Sequence, residues 1–177
     1  MVKGVNVVYQ IASTSVPWAT TSYEKLVSEY VLNPKMIALS NMSVNDGSKT
    51  YSFNLSSKEV TTTDDEGNES TSTTTTVKCN SKEIETAYFE IFYENVAYTE
   101  LAEVKSATVS GNPVFSVKYT YEVDGSTETV NIYSTGGTRY VAEVNGVVVG
   151  TVYKADINKL IKQVSQVADN KQVDTLL

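Results

Sequence analysis

Phe115-Ser116-Val117-Lys118-Tyr119-Thr120-Tyr121-Glu122-Val123-Asp124-Gly125 is the stretch on which the fold turns. Phe115, Val117, Tyr119, Tyr121 and Val123 fall on one face of an extended chain, so the run predicts a half-buried strand over residues 113–123. Asp124-Gly125 supplies the left-handed backbone of a tight hairpin. A second strand is expected over 128–134, and Gly136-Gly137 turns the chain into a third over 138–144. Asn145-Gly146 is the strongest two-residue hairpin signal in the chain and leads into a fourth strand, 147–153. Beyond it, Ile157, Leu160, Ile161, Val164 and Ala168 recur with helical spacing, predicting a helix over 155–169. Residues 105–177 therefore read as a four-stranded antiparallel meander followed by one helix.

Upstream the same order recurs. Val44-Asn45-Asp46-Gly47-Ser48 followed by 50–54 parallels Val123-Asp124-Gly125-Ser126 followed by 129–133. A helix is predicted over 81–94, with Ile84, Ala87, Tyr88, Ile91 and Phe92 on one face and Asn80 and Glu83 spaced as a capping box. Residues 35–104 thus form a second unit, carrying a Thr-rich insertion at about 58–78. There, Asp64-Asp65-Glu66-Gly67-Asn68-Glu69 reads as the acidic turn of a projecting hairpin with β-branched polar residues on both faces, the alternative being a flexible low-complexity loop. Residues 1–34 look like the end of a third, truncated unit: a strand over 5–12, then a helix over 17–32 with the stripe Tyr23, Leu26, Val27, Tyr30 and Val31. The expectation is an α+β protein of repeated meander-plus-helix units, about two and a half copies, with helices packed on the sheets. A chain that begins in mid-repeat is expected to be the C-terminal part of a longer protein whose preceding portion holds a membrane anchor.

Composition narrows the function. The 177 residues include 41% apolar, 20% charged and 10% aromatic positions, which suits a packed core. Fourteen cations, of which only Arg139 is an arginine, face 21 carboxylates for a net charge of −7. That balance speaks against a nucleic-acid partner, which needs a basic surface to displace counterions. The chain has no histidine, which removes Ser-His-Asp and Cys-His catalysis and His-ligated metal sites. The lone Cys79 makes no internal disulfide. No run approaches the roughly 20 apolar residues of a membrane helix.

The chemical motifs each have a plainer reading. Cys79 beside a helix start is a candidate thiolate, but without a histidine base a structural cysteine is favoured. Ser22-Tyr23-Glu24-Lys25 matches the Ser-x-x-Lys pattern of penicillin-recognising enzymes; the partner Lys-Thr-Gly is absent, because Tyr51 follows Lys49-Thr50. Asp64, Asp65, Glu66, Asn68 and Glu69 carry oxygens suited to calcium, yet their spacing does not fit an EF-hand loop and a solvated turn is favoured. Tyr119, Tyr121, Tyr133, Tyr140 and Tyr153, among 12 tyrosines, could form a sugar-stacking platform or simply pack on a sheet. Asn41, Asn54 and Asn68 sit in glycosylation sequons that are read as accidental, because 13 lysines against one arginine suggests an AT-rich bacterial genome. No catalytic, cofactor or metal residues are assigned.

Tyr119-Thr120-Tyr121, Asp124-Gly125, Thr129-Val130, Arg139-Tyr140-Val141, Val144-Asn145-Gly146 and the Tyr153-Lys154-Ala155-Asp156-Ile157-Asn158-Lys159-Leu160-Ile161 run resemble the tail of a bacterial family known only as a domain of unknown function. Val8-Tyr9-Gln10-Ile11 with Ser15, Trp18 and Leu26 is similar to that family's preceding repeat, and the Thr-rich insertion departs from it. The resemblance implies an extracytoplasmic, membrane-anchored accessory protein found beside gliding-motility-type ABC transporter components. It implies no reaction and no catalytic residues. The expected function is a non-enzymatic protein-interaction module contacting ABC transporter subunits. The alternative is a cell-surface glycan- or polymer-binding domain, and a hydrolase using carboxylates alone is third.

Overall fold

A computed structural model describes residues 28–176. After one 3-10 turn at Met36–Ala38, the chain forms β1 (Leu39–Asn45), β2 (Thr50–Thr63), β3 (Glu69–Cys79), β4 (Lys82–Ile84) and α1 (Thr86–Ala97). A loop then leads to β5 (Phe115–Tyr121), β6 (Thr127–Ser134), β7 (Arg139–Val144), β8 (Val147–Tyr153) and α2 (Lys154–Ala168). All eight strands belong to one antiparallel sheet in the order β4-β3-β2-β1-β5-β6-β7-β8.

Alternation decides the two faces. Met42 pairs with Phe53 and Tyr119, and Val44 with Tyr51 and Val117, so each strand turns its apolar positions to the same side. There Phe53, Phe115, Ile132 and Val152 meet Phe89, Phe92, Ile157, Leu160 and Val164 of the two helices in a single core. The Phe53 ring lies 5.1 Å from that of Phe89 and 6.1 Å from that of Phe92. Burying each such ring stabilises by roughly 1.5–3 kcal/mol, which is why two short helices hold their places.

The C-terminal half matches its sequence reading closely. Four strands follow one another, Asn145 and Gly146 take φ of 50° and 83° as a tight hairpin requires, and α2 buries Ile157, Leu160 and Val164. Val123 is the exception: β5 ends at Tyr121, and Val123 is 95% exposed beside the hairpin turn. The Thr-rich segment forms the expected hairpin, pairing Thr63 with Glu69 and continuing to Phe53 with Cys79.

Three expectations are corrected. The architecture of repeated meander-plus-helix units is not supported: the described residues form one antiparallel sheet with two helices, in which the β1–β5 ladder joins residues 35–104 to 105–177 and α2 touches both β2 and β8. The helix expected over 81–94 starts at Thr86, and the capping box does not form. Asn80 and Ser81 take φ of 49° and 71° as a tight turn between β3 and β4, so Glu83 and Ile84 lie on a strand. Its buried stripe accordingly shifts to Phe89, Phe92, Tyr93 and Val96, while Tyr88 and Ile91 are only half-buried and Ala87 is exposed. Of the helix expected over 17–32, residues 17–27 lie outside the described residues, as does the strand expected over 5–12. Residues 28–32 are not helical: Tyr30 bridges Glu100, and the Val31 N–H donates to the Thr99 carbonyl at 2.9 Å. Tertiary pairing with the segment after α1 takes the backbone groups a last helical turn would have used.

Candidate functional site

The side of the sheet turned away from the helices is polar. Asn41, Ser43 and Asn45 alternate with the core residues of β1 and face Asn54, Ser52 and Thr50 of β2, with Thr120, Lys118 and Ser116 of β5 on the other flank. Its amides are tied into short chains. Asn41 Nδ2 donates to Ser52 Oγ at 2.9 Å and to Asn54 Oδ1 at 3.0 Å, and Asn45 Nδ2 donates to Thr50 Oγ1 at 2.9 Å. A groove of about 470 Å³ runs over this face, lined by Ser43, Asn45, Thr50, Ser116, Lys118 and Thr129 and walled by Asn112 and Pro113. The wall is held close to the β1–β2 turn, because a Cβ at Gly47 would sit 2.9 Å from the Val114 carbonyl oxygen. Chemically this surface offers neutral hydrogen-bond donors and acceptors with Lys118 as its central charge.

A second concavity of about 280 Å³ opens where the end of α1 meets the start of α2. Tyr98 and Tyr153, 37% and 51% exposed, line it with Glu100, Asp156 and Thr99. Its floor is set by Asn95, buried between the helices. Asn95 Nδ2 donates to Gln163 Oε1 and to the Asp174 carbonyl, each at 2.9 Å, and its Oδ1 accepts the Leu176 N–H at 2.8 Å. Tyr30 stands edge-on to Tyr98 at 5.3 Å, and the Arg139 guanidinium lies 5.5 Å from the Tyr153 ring centre while bridging Glu103 at 3.0 Å. Two rings with two carboxylates are groups that bind polyols and sugars, through stacking and charge-assisted hydrogen bonds.

The residues singled out from sequence are scattered. Cys79 is 3% exposed in the core, and burial pushes its thiol up despite Lys49 nearby, the opposite of an activated thiolate. Ser22 and Lys25 lie outside the described residues. Asp64 spends its carboxylate inside the acidic turn: Oδ1 accepts the N–H groups of Glu66 and Asn68, and Oδ2 accepts from Asn68 Nδ2. Those bonds, the Asn68 amide foremost, hold the Asp64 carboxyl below its ordinary range. Among the described residues no group of three or more His, Cys, Asp or Glu is placed to hold a metal ion.

The tyrosines do not make one platform. Tyr119 and Tyr140 are buried on the helix side, whereas the Tyr121 hydroxyl donates to Glu128, Tyr133 sits beside Glu143 on the polar face, and Tyr153 reaches the cleft. The alternation that marks Met42 and Val44 as core also marks Asn41, Ser43 and Asn45 as the opposite face, so the polar face was legible in principle. That Tyr98 and Tyr153 line one cleft had no local signal, because only the meeting of two helix ends brings them to it. Among the described residues no helix is long and apolar enough to cross a membrane. Comparison with protein-family models, with curated proteins and with solved structures finds no match in any of the three, so the functional reading rests on this geometry and on the sequence resemblance.

Proposed function

We propose that the chain is a non-enzymatic, extracytoplasmic interaction module of a membrane-anchored accessory protein that contacts subunits of an ABC transporter. The observation that supports it is the polar sheet face. Helices cover one side of the sheet, and the other offers a broad run of neutral side chains around Lys118 that suits a partner better than a reacting substrate. The sequence resemblance supplies the neighbourhood. The test is crosslinking of the intact parent protein in native membranes with an amine-reactive reagent, followed by mass spectrometry. Crosslinks from Lys118 to permease or ATPase subunits are expected, and their absence with the complex otherwise intact would sink the reading.

A second reading rests on the Tyr98–Tyr153 cleft, whose rings and carboxylates suit a cell-surface glycan. Affinity electrophoresis through gels containing cell-wall polysaccharide tests it. Retardation lost in both Tyr98→Ala and Tyr153→Ala supports the glycan reading, and retardation unchanged by either removes the cleft from consideration.

A further inference from the structure

The β2–β3 hairpin extends well past the core. From Lys58 to Thr63 and from Glu69 to Thr74 every residue is exposed, although all of them are paired in regular strands. A two-stranded ribbon with no buried side chain is marginal in water. The ribbon's two outer edges differ. β2 carries Lys58 and Glu59, but β3 runs from Ser70 to Val77 without a charge, proline, glycine or bulge. Natural proteins use those devices to keep a free edge from pairing with another chain, and β3 has none of them over this length.

The hydrogen-bonding phase shows which groups are free. The Asp64 N–H donates to the Asn68 carbonyl, so the even-numbered residues of β3 point their backbone groups at β2, as the Asn80 N–H also does toward the Ser52 carbonyl. Thr71, Thr73 and Thr75 therefore turn theirs outward, the Thr75 carbonyl already accepting from Thr86 Oγ1 at 3.0 Å, which leaves Thr71 and Thr73 as the open positions among the described residues. β4 occupies this edge only opposite Val77–Cys79, so among the described residues no strand pairs with it from Glu69 to Thr76.

We infer that the free edge of β3 is a homotypic docking strand, on which the same strand of a second copy pairs antiparallel about a two-fold axis. Self-pairing sets Thr and Ser opposite Thr and Ser, as the hairpin already does at Thr61–Thr71, where the hydroxyl oxygens are 3.3 Å apart, and at Ser57–Thr75, 3.1 Å apart. Charge sets the direction. Asp64, Asp65, Glu66 and Glu69 crowd the ribbon tip, whereas Lys78 and Lys82 at its base stand beside Glu83 and Glu85. An antiparallel dimer places each acidic tip toward the other copy's balanced base and keeps the tips apart, whereas a parallel one would bring the two tips together. An isologous contact of this kind closes on itself and makes a dimer rather than a fibre. The short edge predicts weak, reversible association, in roughly the micromolar to millimolar range.

The test is sedimentation equilibrium across that range beside amide exchange read by NMR. The wild-type chain is expected to dimerise, with the Thr71 and Thr73 amides gaining protection at least tenfold as concentration rises. The Ser70 and Ser72 amides, bonded to β2, should be protected throughout. Thr73→Pro removes one outward N–H and no β2–β3 ladder bond, so it should remain folded, with Ser70 and Ser72 still protected, and lose dimerisation. Association undiminished in that folded variant overturns the proposal. So does a chain monomeric at every concentration, and protection appearing only on addition of a foreign strand-forming peptide would assign the edge to that partner instead.

Discussion

Gly150 shows at the residue scale how one absent atom holds two segments together. A Cβ there would lie 2.3 Å from the Glu103 carbonyl oxygen, because residues 102–103 press onto β8, with the Ala102 N–H donating to the Thr151 carbonyl and the Thr151 N–H donating to the Glu103 carbonyl. Gly150→Ala should destabilise the fold by about 1–3 kcal/mol, the usual cost of overpacking, seen as a lower urea midpoint. Its backbone does not need glycine's left-handed freedom, so the loss would report the contact alone. Tyr119 makes the opposite case. Its ring is fully buried, its hydroxyl has no hydrogen-bond partner among the described residues, and burial drives its pKa far upward. Tyr119→Phe removes a desolvated group and keeps the ring, so the urea midpoint should hold or rise, by about 1 kcal/mol at most. A fall would mean that the hydroxyl has a partner. Neither role is visible in sequence, where Gly150 ends a run of valines and Tyr119 is one of several alternating aromatics.

Among the elements, the two helices are coupled through a side chain no pattern would have chosen. Asn95 lies between Glu94 and Val96 on α1, is buried, and joins Gln163 of α2 to the segment through Asp174 and Leu176. Asn95→Ala leaves the Leu176 N–H and the Gln163 amide oxygen short of a partner, and each buried group so stranded costs about 1–3 kcal/mol. The expected result is a lower urea midpoint together with faster proteolysis within residues 170–176. Unchanged cleavage there would show that the tail is held by its apolar contacts. The turns are tied by carboxylates in the same local way. Burial disfavours the Asp46 carboxylate, but the N–H groups of Lys49 and Ser48 and the hydroxyls of Ser48 and Tyr51 outweigh it and hold the carboxyl below its ordinary range. The start of α1 at Thr86 has a local cause too: Asn80 suits a left-handed turn as well as a helix cap, and the pairing of β4 with β3 decides between them.

At the scale of the molecule, one core is shared by eight strands and two helices among the described residues, and its tyrosines make stability depend on alkaline pH. Tyr121 is pushed up to about 12, first by burial and then by its bond to Glu128, and Tyr93 and Tyr119 are raised further, chiefly by burial. A phenol whose folded pKa exceeds its unfolded value of about 10 stabilises the fold fully below that pH, and the contribution is lost as pH rises through the folded value. Urea midpoints should therefore be level up to about pH 10 and fall steeply toward pH 12. Tyrosinate absorbance should rise in two stages, exposed rings first and the buried ones with unfolding. A single stage near pH 10 would contradict that burial.

The sequence by itself determined the local pieces: the period-two runs of β5 to β8, the Asn145-Gly146 hairpin, the Thr-rich ribbon and the amphipathic α2. These depend on neighbours within a few residues, where backbone preference and alternation act directly. Only the tertiary structure decided that residues 35–104 and 105–177 share one sheet through β1 and β5, which residues of α1 face the core, and that Tyr98 and Tyr153 line one cleft. Those outcomes rest on contacts between segments tens of residues apart. Their energy comes from burying common surface, and no local pattern records which segment will cover which.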